Sequence, residues 1–429
     1  MSRLFARLLL SPVTVVLIAL ATRASLDKML ALQPDMSLVA YLAQAQSLFE
    51  LTAAVALAGI GPGVVVFAAR RDTDEHILMR DALLWGIAVS AGAAVALIAL
   101  TPALNALLGR EIAPAGAVGA LAVAGGLMFT VLGLFNSLWQ GRLERGKMIA
   151  LGLVSWAPLA VAVSGHFHAV EARFYLSVQF ASISLLGIWL AAPVLRRAWR
   201  QAADAPSWRA SPLKRYLLAG LSIGIMSPAS IMWSRAQLAH GLSWDEVSQL
   251  QALWRSSEWV TGLAGSLIGL VYLPRMAAAA DRPAFLREVE RTWKFLCIPG
   301  ALAIGLLWAA QGLVIPLLYS EKFVMPAAAS ALFLFGDALR LASWAPLHGL
   351  FATERTKAVA IGEWLSLPLF AALLTVLDVK SLVVAGACYA ATYVVYLAFN
   401  VWCIYRTPGR YREADMKLDR EPSGSPSSA

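Results

Sequence analysis

The sequence predicts an all-α membrane protein with about twelve transmembrane helices. Of its 429 residues, 59% are apolar and 14% are charged, which is more apolar and less charged than a water-soluble domain. Runs of about 20 mostly apolar residues recur along the chain, and a helix of that length spans the hydrocarbon core of a bilayer. Basic residues are abundant in every second loop, as in a chain that crosses a membrane repeatedly.

The apolar runs form two groups of six. They lie near 4–22, 38–69, 82–107, 115–139, 148–165 and 173–194, and near 216–240, 250–274, 295–319, 325–350, 358–377 and 381–405. We therefore expect an N-terminal six-helix bundle, a basic cytoplasmic loop, a C-terminal six-helix bundle and a polar cytoplasmic tail that is disordered. Their bounds are 1–200, 201–215, 216–405 and 406–429. Two equal bundles are typical of a two-lobed transporter whose lobes rock around a central site.

The positions of Lys and Arg predict the orientation. Of the 35 basic residues, 26 lie in the termini and loops of one side and six on the other. Because short cytoplasmic loops carry the excess of basic residues, both termini are expected in the cytoplasm. The segment 5–21 has no small-residue cleavage site, so it is expected to be the first span and not a signal peptide.

Other features argue against several functional classes. The three cysteines, Cys297, Cys388 and Cys403, lie in apolar segments without a CxxC spacing, so neither disulfides nor a metal site are expected. The sequence has no phosphate-binding Gly-Lys-Ser/Thr loop, no catalytic triad spacing and no zinc-protease motif. Its basic residues alternate with the spans and form no separate basic domain, which argues against nucleic-acid binding. No enzyme and no cofactor are therefore expected.

Seven charged residues fall within the predicted spans. They are Arg235, Arg255 and Arg340, and the acids Glu50, Glu258, Asp337 and Glu363. Each costs about 3 kcal/mol on insertion scales, so such a residue normally faces a cavity or a partner. Six of the seven lie in the second half, which predicts a functional cavity that is charged mainly on its C-terminal wall.

Four of these seven residues form two pairs by their spacing in the sequence. Arg255 and Glu258 are three residues apart, as are Asp337 and Arg340, so each pair can meet on one helix face. Such a pair either neutralises itself to ease insertion or lines an aqueous route, and the spacing leaves both interpretations open.

The other three, Arg235, Glu50 and Glu363, have no opposite charge three residues away in the sequence. Arg235 has the shape and permanent charge that bind phosphate oxygens, although a position near the outer end of its helix also permits snorkelling. Burial raises the pKa of a carboxyl group, so Glu50 and Glu363 are candidates for proton uptake. The alternative is a hydrogen-bonded structural acid or, for Glu363, an ordinary charge at the cytoplasmic end.

Several segments of the second half carry a family resemblance. They are Ser-Trp-Asp-Glu-Val at 243–247, Tyr-Leu-Pro at 272–274, Leu-Leu-Tyr-Ser-Glu-Lys-Phe at 317–323, Gly336-Asp337 with Arg340, Gly-Glu-Trp at 362–364 and the stretch 390–396. These resemble the bacterial Wzx-type flippases of the MATE-like superfamily, most closely those for the enterobacterial common antigen lipid intermediate, lipid III. In the first half the likeness is limited to 58–60 and Gly141, so no functional residue is assigned there from the family.

The resemblance implies two six-helix bundles in a V-shaped, MATE-like arrangement in the inner membrane. It implies an exporter that moves an undecaprenyl-pyrophosphate-linked oligosaccharide, such as an O-antigen, common-antigen or exopolysaccharide repeat unit, from the cytoplasmic to the periplasmic leaflet. Arg235 and Arg340 match positions where the family carries basic residues. On this hypothesis the three arginines hold the pyrophosphate or the glycan, and Glu258, Asp337, Glu363 and Glu50 exchange partners or couple transport to protons or sodium.

Two other functions share parts of this pattern. A cation-coupled drug exporter has the same architecture, although it would favour acidic residues over arginines in its cavity. A membrane glycan polymerase would need a catalytic acid and usually a long periplasmic loop, and neither is seen in the sequence. The glycan, the driving ion, the oligomeric state and association with a polysaccharide polymerase and a chain-length regulator stay open.

Overall fold

The computed structural model describes residues 208–406 without a break, and before them mainly 59–70, 74–108, 127–144, 146–152 and 185–197, with a few isolated residues that include Lys28. Glu50 and the tail after Arg406 lie outside this part of the chain. The described stretches consist of helices and short turns, without a strand among them.

In chain order the main described helices are α1 (Gly59–Arg70), α2 (Glu75–Leu108), α3 (Leu127–Gly141), α4 (185–197), α5 (Lys214–Gly241), α6 (244–277), α7 (Arg282–Ala309), α8 (Gln311–Leu318), α9 (Ala327–Ala352), α10 (Thr356–Trp364), α11 (Leu367–Val376) and α12 (Leu382–Arg406). Five stretches are long and apolar enough to cross a membrane: most of α2, then α5, α7, α10 with α11, and α12. The chain is therefore a multi-pass membrane protein. Helices α6 and α9 are not among the five, and they carry most of the charged residues predicted to lie within spans.

The predicted bounds differ from the observed helices at several places. Helix α2 begins at Glu75 and α6 at Trp244, six or seven residues before the predicted runs, and the run at 295–319 covers α8 as well as the second half of α7. The segment 282–292 is polar, and for this reason the apolar run at 295–319 missed the first turns of α7, which begins at Arg282. The run at 358–377 is two helices, because Ser366 has a non-helical backbone. Pro368 follows it, and a proline cannot donate a hydrogen bond to the preceding turn.

Among the described helices, three contain a π-helical turn, and each turn ends two residues before a proline. The turns are Ser222–Met226 in α5, Ile268–Tyr272 in α6 and Trp293–Cys297 in α7, and the prolines are Pro228, Pro274 and Pro299. A proline has no N–H and its ring clashes with the carbonyl four residues earlier. The wider winding lets each helix continue past its proline without a break.

The starts of α7 and α10 lie beside the end of α12. Arg282 Nη2 donates to the carbonyl of Tyr405 at 2.5 Å, and Arg355 Nη1 donates to the carbonyl of Cys403 at 2.5 Å. We call this side of the molecule the basic end. It corresponds to the side that the charge distribution assigns to the cytoplasm.

Two large buried clusters organise the described part of the fold. The first joins both halves of the sequence, since Val64 and Leu134 pack in the same cluster as Tyr216 and Leu350. The second contains residues of the second half, on α5 to α7, α9, α11 and α12. Its centre is aromatic and includes Trp254, Phe333 and Tyr389. Helices α6 and α9 contribute to this second cluster, and they carry Arg255, Glu258, Asp337 and Arg340.

Candidate functional site

Asp337, in the first half of α9, is a buried carboxylate at which three helices meet. Ser257 on α6 donates to Oδ2 at 2.5 Å, and Tyr389 on α12 donates to Oδ1 at 2.7 Å. The guanidinium of Arg340 lies 3.9 Å from Oδ1, one turn along α9. Only 1% of the Asp337 side chain is exposed. Because a buried acid without partners is costly in a membrane protein, these two hydroxyl groups compensate for the loss of water.

Small residues bring α12 close enough for this contact. A Cβ on Gly336 would overlap the ring of Tyr389, and a Cβ on Gly386 would lie 2.9 Å from Leu332. Glycines at a helix crossing allow the backbones to approach closely in a membrane. This explains why a glycine precedes the acid, since Gly336 makes room for Tyr389, which donates to Asp337.

Arg340 is less buried than the carboxylate beside it. Its contact with Asp337 is longer than a hydrogen bond, and 31% of its side chain is exposed. The guanidinium carbon lies 5.4 Å from the centre of the Trp344 ring, within the range of a cation–π contact. Arg340 and Trp344 thus present a cation and an aromatic ring next to each other on α9.

Glu363 is the second buried acid of this region, with 7% exposure. Tyr396 on α12 donates to Oε1 at 2.6 Å. Glu363 lies at the end of α10, directly before the break at Ser366, whose hydroxyl donates to the Glu363 carbonyl at 2.6 Å. A broken helix in the membrane is tolerated where its backbone is buried in protein or lines a cavity.

Three tyrosines on one face of α12 connect the two acids. We call Tyr389, Tyr393 and Tyr396 the tyrosine row. Their ring centres are 4.8 Å and 5.9 Å apart along the row. The first binds Asp337 and the last binds Glu363. Sequence reasoning missed this row, although the spacing of four and then three residues marks one helix face.

Comparisons with known proteins show the fold. No family model matches the sequence. A segment of 204 residues is 26% identical to the lipid III flippase of Escherichia coli (strain K12), and the match covers 46% of this chain and 48% of that protein. Nearly the whole chain, 95%, aligns with 94% of an outward-facing multidrug resistance MATE family transporter of the MOP superfamily, at 13% identity and a TM-score of 0.66. The chain has the MATE transporter fold. The corresponding inward-facing structure aligns with a TM-score of 0.59, at 12% identity, over 91% of this chain and 94% of that one.

The predicted fold class, an all-α polytopic protein of the MATE type, is thereby confirmed. The sequence match to the lipid III flippase covers about half of that protein's length. A similarity at 12–13% identity shows the arrangement of the helices and leaves the transported compound open.

Within the MATE fold, the other predicted site residues lie mostly inside. Arg235 on α5 is 5% exposed and Arg255 on α6 is 4% exposed, whereas Glu258, one turn after Arg255, is half-buried. Glu50 lies outside the described residues. In the part of the chain that the structure describes, no three His, Cys, Asp or Glu side chains are grouped so that they could hold a metal ion.

Proposed function

We propose that this chain moves an undecaprenyl-pyrophosphate-linked oligosaccharide from the cytoplasmic to the periplasmic leaflet of a bacterial inner membrane by alternating access. Two observations support the proposal: the MATE fold, and the partial identity to a lipid III flippase. The repeat unit is of the O-antigen, common-antigen or exopolysaccharide class. Both termini lie in the cytoplasm on this proposal, in line with the distribution of basic residues.

The observation that carries the proposal is the exposed part of Arg340 beside Trp344. A planar guanidinium binds phosphate oxygens with two parallel hydrogen bonds, and an aromatic ring offers a flat apolar face to a sugar. A charged, hydroxyl-rich headgroup cannot cross hydrocarbon unaided. The prenyl chain needs no such help, because it can stay in the lipid while the headgroup passes through a polar cavity.

Each predicted site residue has a role in this mechanism. Arg235, Arg255 and Arg340 hold the pyrophosphate or the glycan, and Glu258 exchanges partners with them as the lobes rock. Asp337 and Glu363, with Glu50 on the other lobe, are the groups that couple transport to protons or sodium. The tyrosine hydroxyls on Asp337 and Glu363 support this role, since each can stabilise an ionised carboxylate. The break in the helix beside Glu363 is typical of ion sites in secondary transporters.

Complementation tests the proposal in cells that lack their own lipid III flippase. We expect wild-type protein to clear the untranslocated lipid-linked intermediate, and Arg340→Ala to leave most of it in place at equal expression. The matched control is Lys380→Ala, because Lys380 is a basic residue whose exposed side chain pairs with Asp378 in the turn before α12. Clearance by Arg340→Ala at the wild-type rate would contradict the role of Arg340. Failure of well-expressed wild-type protein on lipid III and on other prenyl-linked glycans would contradict the proposed substrate class.

A second candidate is a cation-coupled drug exporter, which the buried acids Asp337 and Glu363 favour. A carboxylate inside the membrane can pair with a cationic compound as well as take up a proton. Ethidium efflux from the same cells separates the two functions. Efflux without clearance of the lipid intermediate would favour the drug exporter.

A further inference from the structure

The basic end holds an ion cluster that joins the two halves of the chain. Glu354, in the turn between α9 and α10, uses both carboxylate oxygens. Arg70, the last residue of α1, donates to Oε1 at 2.5 Å, and Arg215 at the start of α5 donates to Oε2 at 3.1 Å. Arg70 also donates to the carbonyl of Ala352 at 3.0 Å. One carboxylate thus connects the first half of the sequence to two elements of the second.

The turn holds Glu354 in place for these contacts. Its φ of 58° lies in the left-handed region, which a residue other than glycine adopts only when its surroundings require it. Its side chain is 8% exposed and that of Arg70 is 7% exposed. Removing one partner of a pair this buried is costly, since it leaves an uncompensated buried charge behind.

Close helix packing beside the cluster connects the same elements. Gly59 and Gly63, one turn apart on α1, face α5: a Cβ on Gly59 would lie 2.5 Å from the Cα of Gly220, and one on Gly63 would lie 3.0 Å from the Tyr216 ring. The Tyr216 ring in turn lies parallel to that of Phe351 on α9, with 6.4 Å between the ring centres. Helix α1 therefore docks on both α5 and α9.

Two of the π-helical turns lie just inside this contact. Those of α5 and α6 are in the part of the helix nearer the basic end, and that of α7 is at the middle of its helix. Gln140 of α3 lies against Gly269, within the π-helical turn of α6. A helix wound in this way at a proline bends more easily than a regular helix. These three successive helices can therefore bend without unfolding.

We infer that Arg70, Arg215 and Glu354 form a latch that holds the basic end of the protein closed and must open before a headgroup can enter from that end. The latch concerns the balance between closed and open conformations. It is independent of which compound is transported, and its test requires no substrate.

The test measures access to Gln140 in full-length protein in lipid nanodiscs. The variant Gln140→Cys places a thiol at the contact between α3 and α6, and a water-soluble maleimide reports how often that contact opens. Labelling of the parent, whose Cys297, Cys388 and Cys403 are buried, is subtracted. We expect Glu354→Gln to raise the labelling rate of Gln140→Cys about tenfold, which corresponds to about 1.4 kcal/mol in the opening equilibrium.

Two further variants make the result decisive. Asp378→Asn is the matched control, since it removes a carboxylate from an ion pair outside the basic end; a hydrogen bond from Lys380 holds the pKa of Asp378 below its usual value, so that pair is charged as well. We expect this control to leave the labelling rate unchanged. Arg215→Gln removes the exposed arm of the latch with less risk to folding, and we expect a two- to fivefold increase. Unchanged labelling in both Glu354→Gln and Arg215→Gln would overturn the latch, whatever the protein transports.

Discussion

At the scale of single residues, the environment of Asp337 explains how an acid is kept inside a membrane protein. The spacing of Asp337 and Arg340 pointed to an ion pair, yet the shortest contacts of the carboxylate are with Ser257 and Tyr389. These partners are 80 and 52 residues away in the sequence. Local spacing cannot identify such partners, because they depend on how helices pack.

We therefore predict that Tyr389→Phe destabilises the protein. The ring still fills its place between Gly336 and Phe370, but Asp337 loses one of its two hydroxyl donors. A hydrogen bond inside a membrane protein is worth about 1 kcal/mol, so the melting temperature in detergent should fall by about 1 °C. Transport should fall as well if Asp337 takes part in coupling.

The control for this prediction is Tyr405→Phe on the same helix. The Tyr405 side chain is partly exposed near the end of α12. We expect no change in melting temperature or transport for this variant. Equal melting temperatures for Tyr389→Phe and Tyr405→Phe would show that the hydroxyl on Asp337 contributes nothing to stability.

At the scale of helices, hydropathy located most of the described helices and missed their irregularities. The run at 358–377 was read as one helix, although Pro368 and Ser366 divide it beside Glu363. An average over apolar residues cannot detect a break of two residues. The π-helical turns were not predicted for the same reason, although the sequence shows a proline after each of them.

The docking of α1 on α5 gives a prediction at this scale. We expect Gly59→Ala to lower stability by about 1–3 kcal/mol, because the added Cβ would meet the backbone of Gly220, which cannot move aside as a flexible side chain can. Thermal unfolding in detergent measures this loss. Gly92→Ala on α2 is the matched control, since a Cβ there has no neighbour within 4 Å. An alanine at an exposed helix position is neutral or slightly stabilising. Equal stability of the two variants would contradict the close packing of α1 and α5.

At the scale of the whole molecule, the sequence predicted the membrane class and the MATE-like fold. It did not predict the contacts between the halves. Arg70 and Arg215 were counted only as basic loop residues and Glu354 was not singled out, because hydropathy and charge counts do not describe how two bundles lie relative to each other. The residues that hold the basic end closed can be identified only from the packed structure.

A second contact between the halves lies away from the basic end. Lys28, from the first half, donates to the carbonyl of Tyr319 at 2.6 Å and to that of Pro316 at 3.4 Å. These carbonyls are at the end of α8. Helix α8 follows the end of α7 that lies away from the basic end. The last carbonyls of a helix carry a partial negative charge that favours a lysine. The halves are therefore held together at both ends, and alternating access requires one contact to break while the other holds.

This arrangement predicts opposite effects from the two contacts. Glu354→Gln favours opening at the basic end, whereas Lys28→Ala weakens the far end and shifts the population towards conformations in which the basic end is closed. We expect Lys28→Ala to lower the labelling rate of Gln140→Cys about two- to fivefold, within the usual range of such couplings. Lys322→Ala is the control, as an exposed lysine just after α8. Faster labelling in Lys28→Ala would show that the two ends open together, and the contact would then stabilise the fold without taking part in alternation.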